Sequence, residues 1–157
     1  MKYAERLEAV PSEITNDPIW KLEVYKLALF IGDIGWEDIQ KLSKEKLMFS
    51  VADQLHRSLD SISANLTEGY SRSKGLDRAR FIEISLGSAR ESRDWYYKSR
   101  HVLSPEVVKH RMELLTRIIS MLASMIPHQH KSAIREEQSE YNTQPSTFSL
   151  ESEIPMP

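Results

Sequence analysis

The chain has 157 residues, 40% hydrophobic and 28% charged, with a formal net charge of -2 and no cysteine. This is the composition of one globular domain with tails, and the lack of cysteine excludes a disulfide scaffold, a thiol nucleophile and a Cys-ligated metal site. No apolar run nears the ~20 residues of a membrane helix, and the polar opening MKYAERLEAVPSEITNDP lacks the apolar stretch of a secretory signal. The expectation is therefore a cytoplasmic protein that does not engage a membrane.

Residues 1–17 read as a flexible N-terminal segment, 18–127 as a helical body and 128–157 as a polar, acidic, disordered tail. Prolines mark the edges, and none falls between Pro18 and Pro105, which leaves a long window for unbroken helices. The first helix is expected to open with Asp17 as N-cap and Pro18 at the first helical position. Val24, Leu27, Ala28, Ile31 and Ile34 recur at helical spacing, Gly32 and Gly35 weaken its far part, and the pattern continues through Ile39 and Leu42. Trp20 is placed as a staple at its start, and Glu37-Asp38 as a solvated helix surface.

The second helix is expected from Ser43 or Lys44. Its stripe is Met48, Ala52, Leu55, Leu59, Ile62 and Leu66, with steps of 4 and 3 that make a coiled-coil-like seam. Gly69 lies near its end, SRSKGLD reads as a loop, and Asp77 as the next cap. The third helix is expected from Arg78 to Val102, with Phe81, Ile84, Ala89, Trp95 and Val102 as its apolar positions. Small residues at Ser85, Ser88 and Ser92 let a neighbouring helix come close. The fourth helix opens on Ser104-Pro105-Glu106 and is expected to stop at Ile126, before Pro127. It carries two stripes, Val108, Met112, Leu115, Ile119, Leu122 and Ile126 beside Val107, Leu114, Ile118, Met121 and Met125. A helix apolar on two faces lies deep in the subunit or meets another. With no period-two stretch, the fold class is all-α, an antiparallel up-down four-helix bundle.

The segment DQLHRSLDSISANLTEGYSRS, with RARFIEISLGSARES after it, carries a dense set of positions: Gln54, Leu55, Arg57, Ser58, Ser61, Ile62, Ala64, Asn65, Leu66, Glu68, Gly69 and Arg72, then Phe81, Ser85, Gly87, Ser88 and Glu91. With the opening LEVYKLA, Leu22 to Ala28, this resembles the bacterial four-helix-bundle family of ribosomal-RNA intervening-sequence proteins, over about Trp20 to Pro127. Ser63 stands where that family often has proline, and Thr67 and Ser85 where it often has alanine. The resemblance implies a homo-oligomeric ring, commonly a pentamer, a link to RNA or DNA, and distant similarity to the accessory variability protein of diversity-generating retroelements. It brings no catalytic residue and no cofactor.

Ser61, Asn65 and Glu68 share one helix face, and Ser88 with Glu91 faces them from the next helix. The expectation is a buried polar layer that fixes register, with Arg57 or Arg72 pairing a glutamate. A carboxylate-bridged metal site needs Glu-x-x-His pairs. Glu68 is followed three residues on by Ser71 and Glu91 by Asp94, so no metal is expected. His128 and His130 read as part of a solvated tail, and no hydrolase or phosphate-loop motif occurs, so the protein reads as no enzyme.

Charge is uneven. Residues 20–127 carry 17 basic and 14 acidic residues, and within them 70–100 carries 8 and 4. Arg72, Lys74, Arg78 and Arg80 cluster at the second turn, and Arg90, Arg93, Tyr97 and Arg100 follow helical spacing on the third helix. Arginines with an interleaved tyrosine suit phosphates and a stacked base. The rival reading is a scaffold that binds a protein partner through Trp95, Tyr96 and Tyr97, an exposed aromatic patch or subunit interface.

Overall fold

The computed structural model describes residues 2–72 and 75–129, together with Pro155 and Pro157. The described residues form an all-α fold, with six α-helices and no strand. Two are short, α1 (Tyr3–Glu8) and α2 (Ser12–Thr15). Four run 20 to 25 residues: α3 (Glu23–Leu42), α4 (Phe49–Tyr70), α5 (Gly75–Lys98) and α6 (Pro105–Gln129). Helix α4 packs between α3 and α5, α6 packs on α5, and α3 also meets α6. Contacts from Ser58 to Ser92 and from Ile62 to Ser85 run in opposite directions along α4 and α5, so these two are antiparallel.

The apolar stripes explain this packing. On α3, Val24, Leu27, Ala28, Ile31 and Ile34 are buried, and so is the whole expected seam from Met48, just before α4, to Leu66 on it. On α6, Val107, Leu114, Leu115, Ile118, Ile119 and Leu122 are all within the core, while Met112, Met121 and Met125 are half-buried against it. Each such Leu or Ile contributes about 1.5–3 kcal/mol by leaving water.

Element edges differ from expectation in five places. Asp17 does cap, accepting from the Ile19 backbone N–H at 2.9 Å, but the turn it caps is a 3₁₀ helix, Pro18–Lys21. Leu22 is extended, and α3 starts only at Glu23. This bend buries Ile19 and lays Trp20 edge-on against Tyr25 at 6.4 Å, at the staple position. Ser43 ends α3 rather than opening α4, because its backbone N–H and hydroxyl both donate to the Ile39 carbonyl. A 3₁₀ turn, Lys46–Met48, then leads into α4. Helix α5 begins at Gly75, so Asp77 sits in its first turn instead of capping it, and α5 passes into a 3₁₀ turn at Ser99–His101. Helix α6 runs through Pro127 to Gln129, since proline in the last turn removes one hydrogen bond and leaves the preceding turns intact.

Residues 2–17 are not a free segment. Tyr3 packs edge-on against Phe30 with ring centroids 4.9 Å apart, and its hydroxyl donates to Glu23 at 3.0 Å. Arg6 bridges Asp33 and Glu37 of α3. The expected tail from 128 lies outside the described residues, except His128 and Gln129, which end α6, and Pro155 and Pro157.

Candidate functional site

Helix α5 presents a core face made largely of small residues. Ala79, Ile82, Ser85, Leu86, Ser88, Ala89, Ser92 and Tyr96 are buried. Ile84 is exposed, and Phe81 and Trp95 are only partly buried, so the apolar face expected from the large residues is displaced around the helix. The small residues let α4 approach, and they carry the polar contacts at the seam. Ser92 Oγ lies 2.9 Å from Ser58 Oγ, Ser88 Oγ lies 2.9 Å from Ser61 Oγ, and Ser85 donates to the Ile62 carbonyl at 2.8 Å. Asn65 joins by donating to Ser61 at 2.7 Å to its carbonyl. Gly69 fits the same approach, since a Cβ there would lie 2.8 Å from that of Phe81.

The expected polar layer is thus a serine ladder, not a carboxylate layer. Glu68 and Glu91 are both exposed. Glu68 pairs with Arg72 on the solvent side, and Glu91 accepts from Trp95 Nε1 at 3.1 Å. Arg57 pairs with Asp53 of its own helix, and Gln54 is half-buried. Hydroxyls fit at the closest helix approach, where a glutamate would be desolvated without a cation. Among the described residues no group of three His, Asp or Glu is placed to hold a metal ion.

The basic candidates fall into two groups at the two ends of α5. At the α4–α5 corner, Arg78 donates to the Arg72 carbonyl at 2.9 Å, Arg72 lies over the Phe81 ring at 5.0 Å, and Arg80 is exposed. Lys74 lies outside the described residues. At the other end, Arg93 donates to Thr116 of α6 at 3.1 Å, and Arg90 is half-buried. Tyr97 is 51% exposed, with the Arg100 guanidinium 4.1 Å over its ring and donating to its carbonyl at 2.8 Å. The rise between Arg80 and Arg93 is about 20 Å, so these are two patches on one helix rather than one. The aromatic trio is also split: Tyr96 is fully buried, Trp95 is partly buried with Lys98 4.1 Å over its ring, and Tyr97 faces solvent.

Behind Tyr96 lies a charge cluster that residue type alone conceals. Asp38 and Arg111 are both fully buried, joined by Arg111 Nε to Asp38 Oδ2 at 2.7 Å and Nη2 to Oδ1 at 3.2 Å. The Tyr96 hydroxyl donates to Asp38 Oδ2 at 2.9 Å, which ties α3, α5 and α6 together. Asp38 is therefore core, not the solvated surface expected of Glu37-Asp38. Burial pushes its carboxyl above the ordinary value, against the hydrogen bonds from Arg111 and Tyr96. Burial also pushes the Tyr96 phenol well up. The signal in the sequence is the spacing. Asp38 continues the Ile31, Ile34 stripe and Arg111 falls in register with Val107, Leu114 and Leu115.

Arg111 Nη1 lies 2.9 Å from His110 Nδ1, so this ring nitrogen accepts and the imidazole is neutral. Burial and the adjacent guanidinium lower the His110 pKa to about 4. An unfolded histidine binds its proton at about 6.5. Between these values the unfolded chain holds more protons than the folded one, so stability falls as pH drops through this window. The expected loss attributable to His110 is about 2–3 kcal/mol by pH 4. Urea denaturation at pH 7 and pH 4.5 checks it: His110→Gln should show a smaller decline than the parent, and an equal decline in both contradicts the assignment.

The family model described as 23S rRNA-intervening sequence protein matches residues 20–124, two thirds of the chain. No curated protein and no solved structure matches. No helix among the described residues is long and apolar enough to cross a membrane.

Proposed function

The chain belongs to the 23S rRNA-intervening sequence protein family, and from that premise we propose that it is a non-enzymatic, cytoplasmic, homo-oligomeric binding protein whose four-helix-bundle protomer engages RNA or DNA through the arginines of α5. The observation that carries this reading is the solvent-facing pair of Tyr97, at the end of α5, and Arg100, in the 3₁₀ turn after it, with the guanidinium 4.1 Å over the ring and Arg93 one turn earlier on α5. A phosphate suits the guanidinium and a base suits the ring, without need of a catalytic group. The second patch, Arg72, Arg78 and Arg80, gives the same strand another cationic contact. In a ring, pentameric by family resemblance, repeated weak contacts add avidity.

The oligomer has its own support. Leu47 and Phe49 at the α3–α4 connection are 93% and 68% exposed and Trp36 on α3 is 51% exposed, large apolar side chains that a second subunit would cover. The rival scaffold reading through Trp95, Tyr96 and Tyr97 loses its central member to the core. A protein partner on this face would have Tyr97 and the rim of Trp95 to grip.

Charge reversal separates the readings. Arg90→Glu with Arg93→Glu should abolish retention of single-stranded RNA on the protein. The log–log salt dependence of binding should flatten by ~0.7 for every phosphate no longer neutralised. The elution volume should not change. Retention equal to that of the parent overturns the α5 assignment.

A further inference from the structure

Residues 2–17 leave a slot where they cross α3. Its walls are Leu7 of α1, Val10 in the turn after it, Ile14 of α2, and Leu29 and Phe30 of α3. The space between them is about 300 Å³, at the lower end of the ~300–1,000 Å³ of clefts that hold small molecules. Phe30 is buried, whereas Leu7, Val10, Ile14 and Leu29 are only half-buried, so the slot leaves apolar surface uncovered among the described residues. Its polar edge is Arg6 with Asp33. Arg6 divides one positive charge between two carboxylates, Asp33 and, at 3.1 Å, Glu37. One negative charge is therefore left over at this edge. The Asp33 side chain is 59% exposed, with lone pairs to spare for a further donor. The field around it is acidic too, since residues 2–17 carry Glu5, Glu8, Glu13 and Asp17 against Lys2 and Arg6.

We propose that this slot is a binding site for a small amphipathic cation, an alkyl or arylalkyl amine, whose apolar body lies against Leu29 and Phe30 and whose ammonium pairs with Asp33. The lining selects that class. Apart from Arg6 and Asp33 every side chain lining the slot is apolar. The ligand's body must then be apolar, and its polar group must sit at that one edge. An anion there would compete with two carboxylates for one guanidinium, whereas an ammonium meets the charge that Arg6 leaves unspent. An aromatic ring in the wall, Phe30, suits a cation as well. The lining comes from α1, α2, their connection and α3, and none of it from α5, so this site stands or falls apart from the nucleic-acid reading.

Phenethylamine is the probe, with phenethyl alcohol and hydrocinnamate as its neutral and anionic counterparts. Titrated into the full chain at neutral pH, the amine should shift the backbone amides of Leu7, Val10, Leu29 and Asp33 in NMR spectra. It should bind about fivefold more tightly than the alcohol, the upper end of what one exposed ion pair returns, and hydrocinnamate should bind more weakly than either. Ala9→Phe, which adds a ring at an exposed position of the wall, should abolish the shifts. Asp33→Asn should bring the amine down to the affinity of the alcohol and leave the alcohol unchanged, the second result showing that residues 2–17 stay seated. The proposal is overturned if the amine leaves these amides unmoved, if amine and alcohol bind the parent alike, or if Ala9→Phe keeps the shifts. Asp33→Asn binding the amine as tightly as the parent, or losing both ligands together, overturns the assignment of the ammonium to Asp33.

Discussion

Replacing Arg111 by alanine is expected to remove about 3–5 kcal/mol of stability, because it leaves the Asp38 carboxylate buried without its cation. The loss should exceed that of any exposed ion pair in the molecule, such as Arg57–Asp53, which is worth about 0–1 kcal/mol. The cluster is also expected to be replaceable as a unit. Asp38→Leu, Tyr96→Phe and Arg111→Met together remove both charges and the dependent hydroxyl, and should recover most of the loss. Urea midpoints of the single and triple variants check both statements. A single variant within about 1 kcal/mol of the parent would mean that the pair is hydrated in solution.

Gly35→Val is the second large effect. A Cβ at Gly35 would lie 2.5 Å from Leu59 Cδ1 and 3.1 Å from the Tyr96 hydroxyl. Leu59 is itself packed in the core and cannot swing clear, so α3 and α4 must part. The expected cost is about 2–3 kcal/mol, more than the better helix propensity of valine returns. Gly32→Val makes the contrast, because its nearest atom, Asp60 Oδ1, is 3.9 Å away. Thermal denaturation should rank Gly35→Val well below Gly32→Val, and equal midpoints contradict the close approach.

Gly35 shows why some of this fold is legible in the sequence and some is not. On α3, α4 and α6 the Val, Leu and Ile residues of the expected stripes are the buried ones, so spacing marks that core from Val24 to Ile126, while Trp36 and Phe49 stay exposed. On α5 size and burial part company. Serines and alanines line the seam while Ile84 and Tyr97 face out, and following the large residues turns the helix the wrong way. The serine positions are nonetheless visible as a close-approach signal. Their partners Ser58 and Ser61 stand on α4 at matching intervals, and Ser85 meets the Ile62 carbonyl instead.

The charge cluster escapes a sequence reading for a different reason. Residue type places Asp38 and Arg111 outside, although each sits in an apolar stripe. Their pairing spans 73 positions, a distance no local pattern encodes. Residues 2–17 are opaque for the same reason. What holds them is Tyr3 on Phe30 and Arg6 on Asp33 and Glu37, contacts with α3 that a polar, mixed-charge segment does not advertise. Of the basic candidates, helical spacing places Tyr97 and Arg100 together at the surface, as the structure has them. The two groups, at the turn and on the helix, are likewise distinct in the sequence, and the helical rise sets them about 20 Å apart.

Whether an oligomer of this bundle holds nucleic acid is read most directly by light scattering across a size-exclusion peak. Absorbance at 260 and 280 nm is followed on the same peak after mixing with single-stranded RNA. The expected result is a mass that is a multiple of the 18.2 kDa chain, with excess absorbance at 260 nm eluting in that peak. An 18.2 kDa monomer, or an oligomer whose absorbance is that of protein alone, would contradict the proposed function.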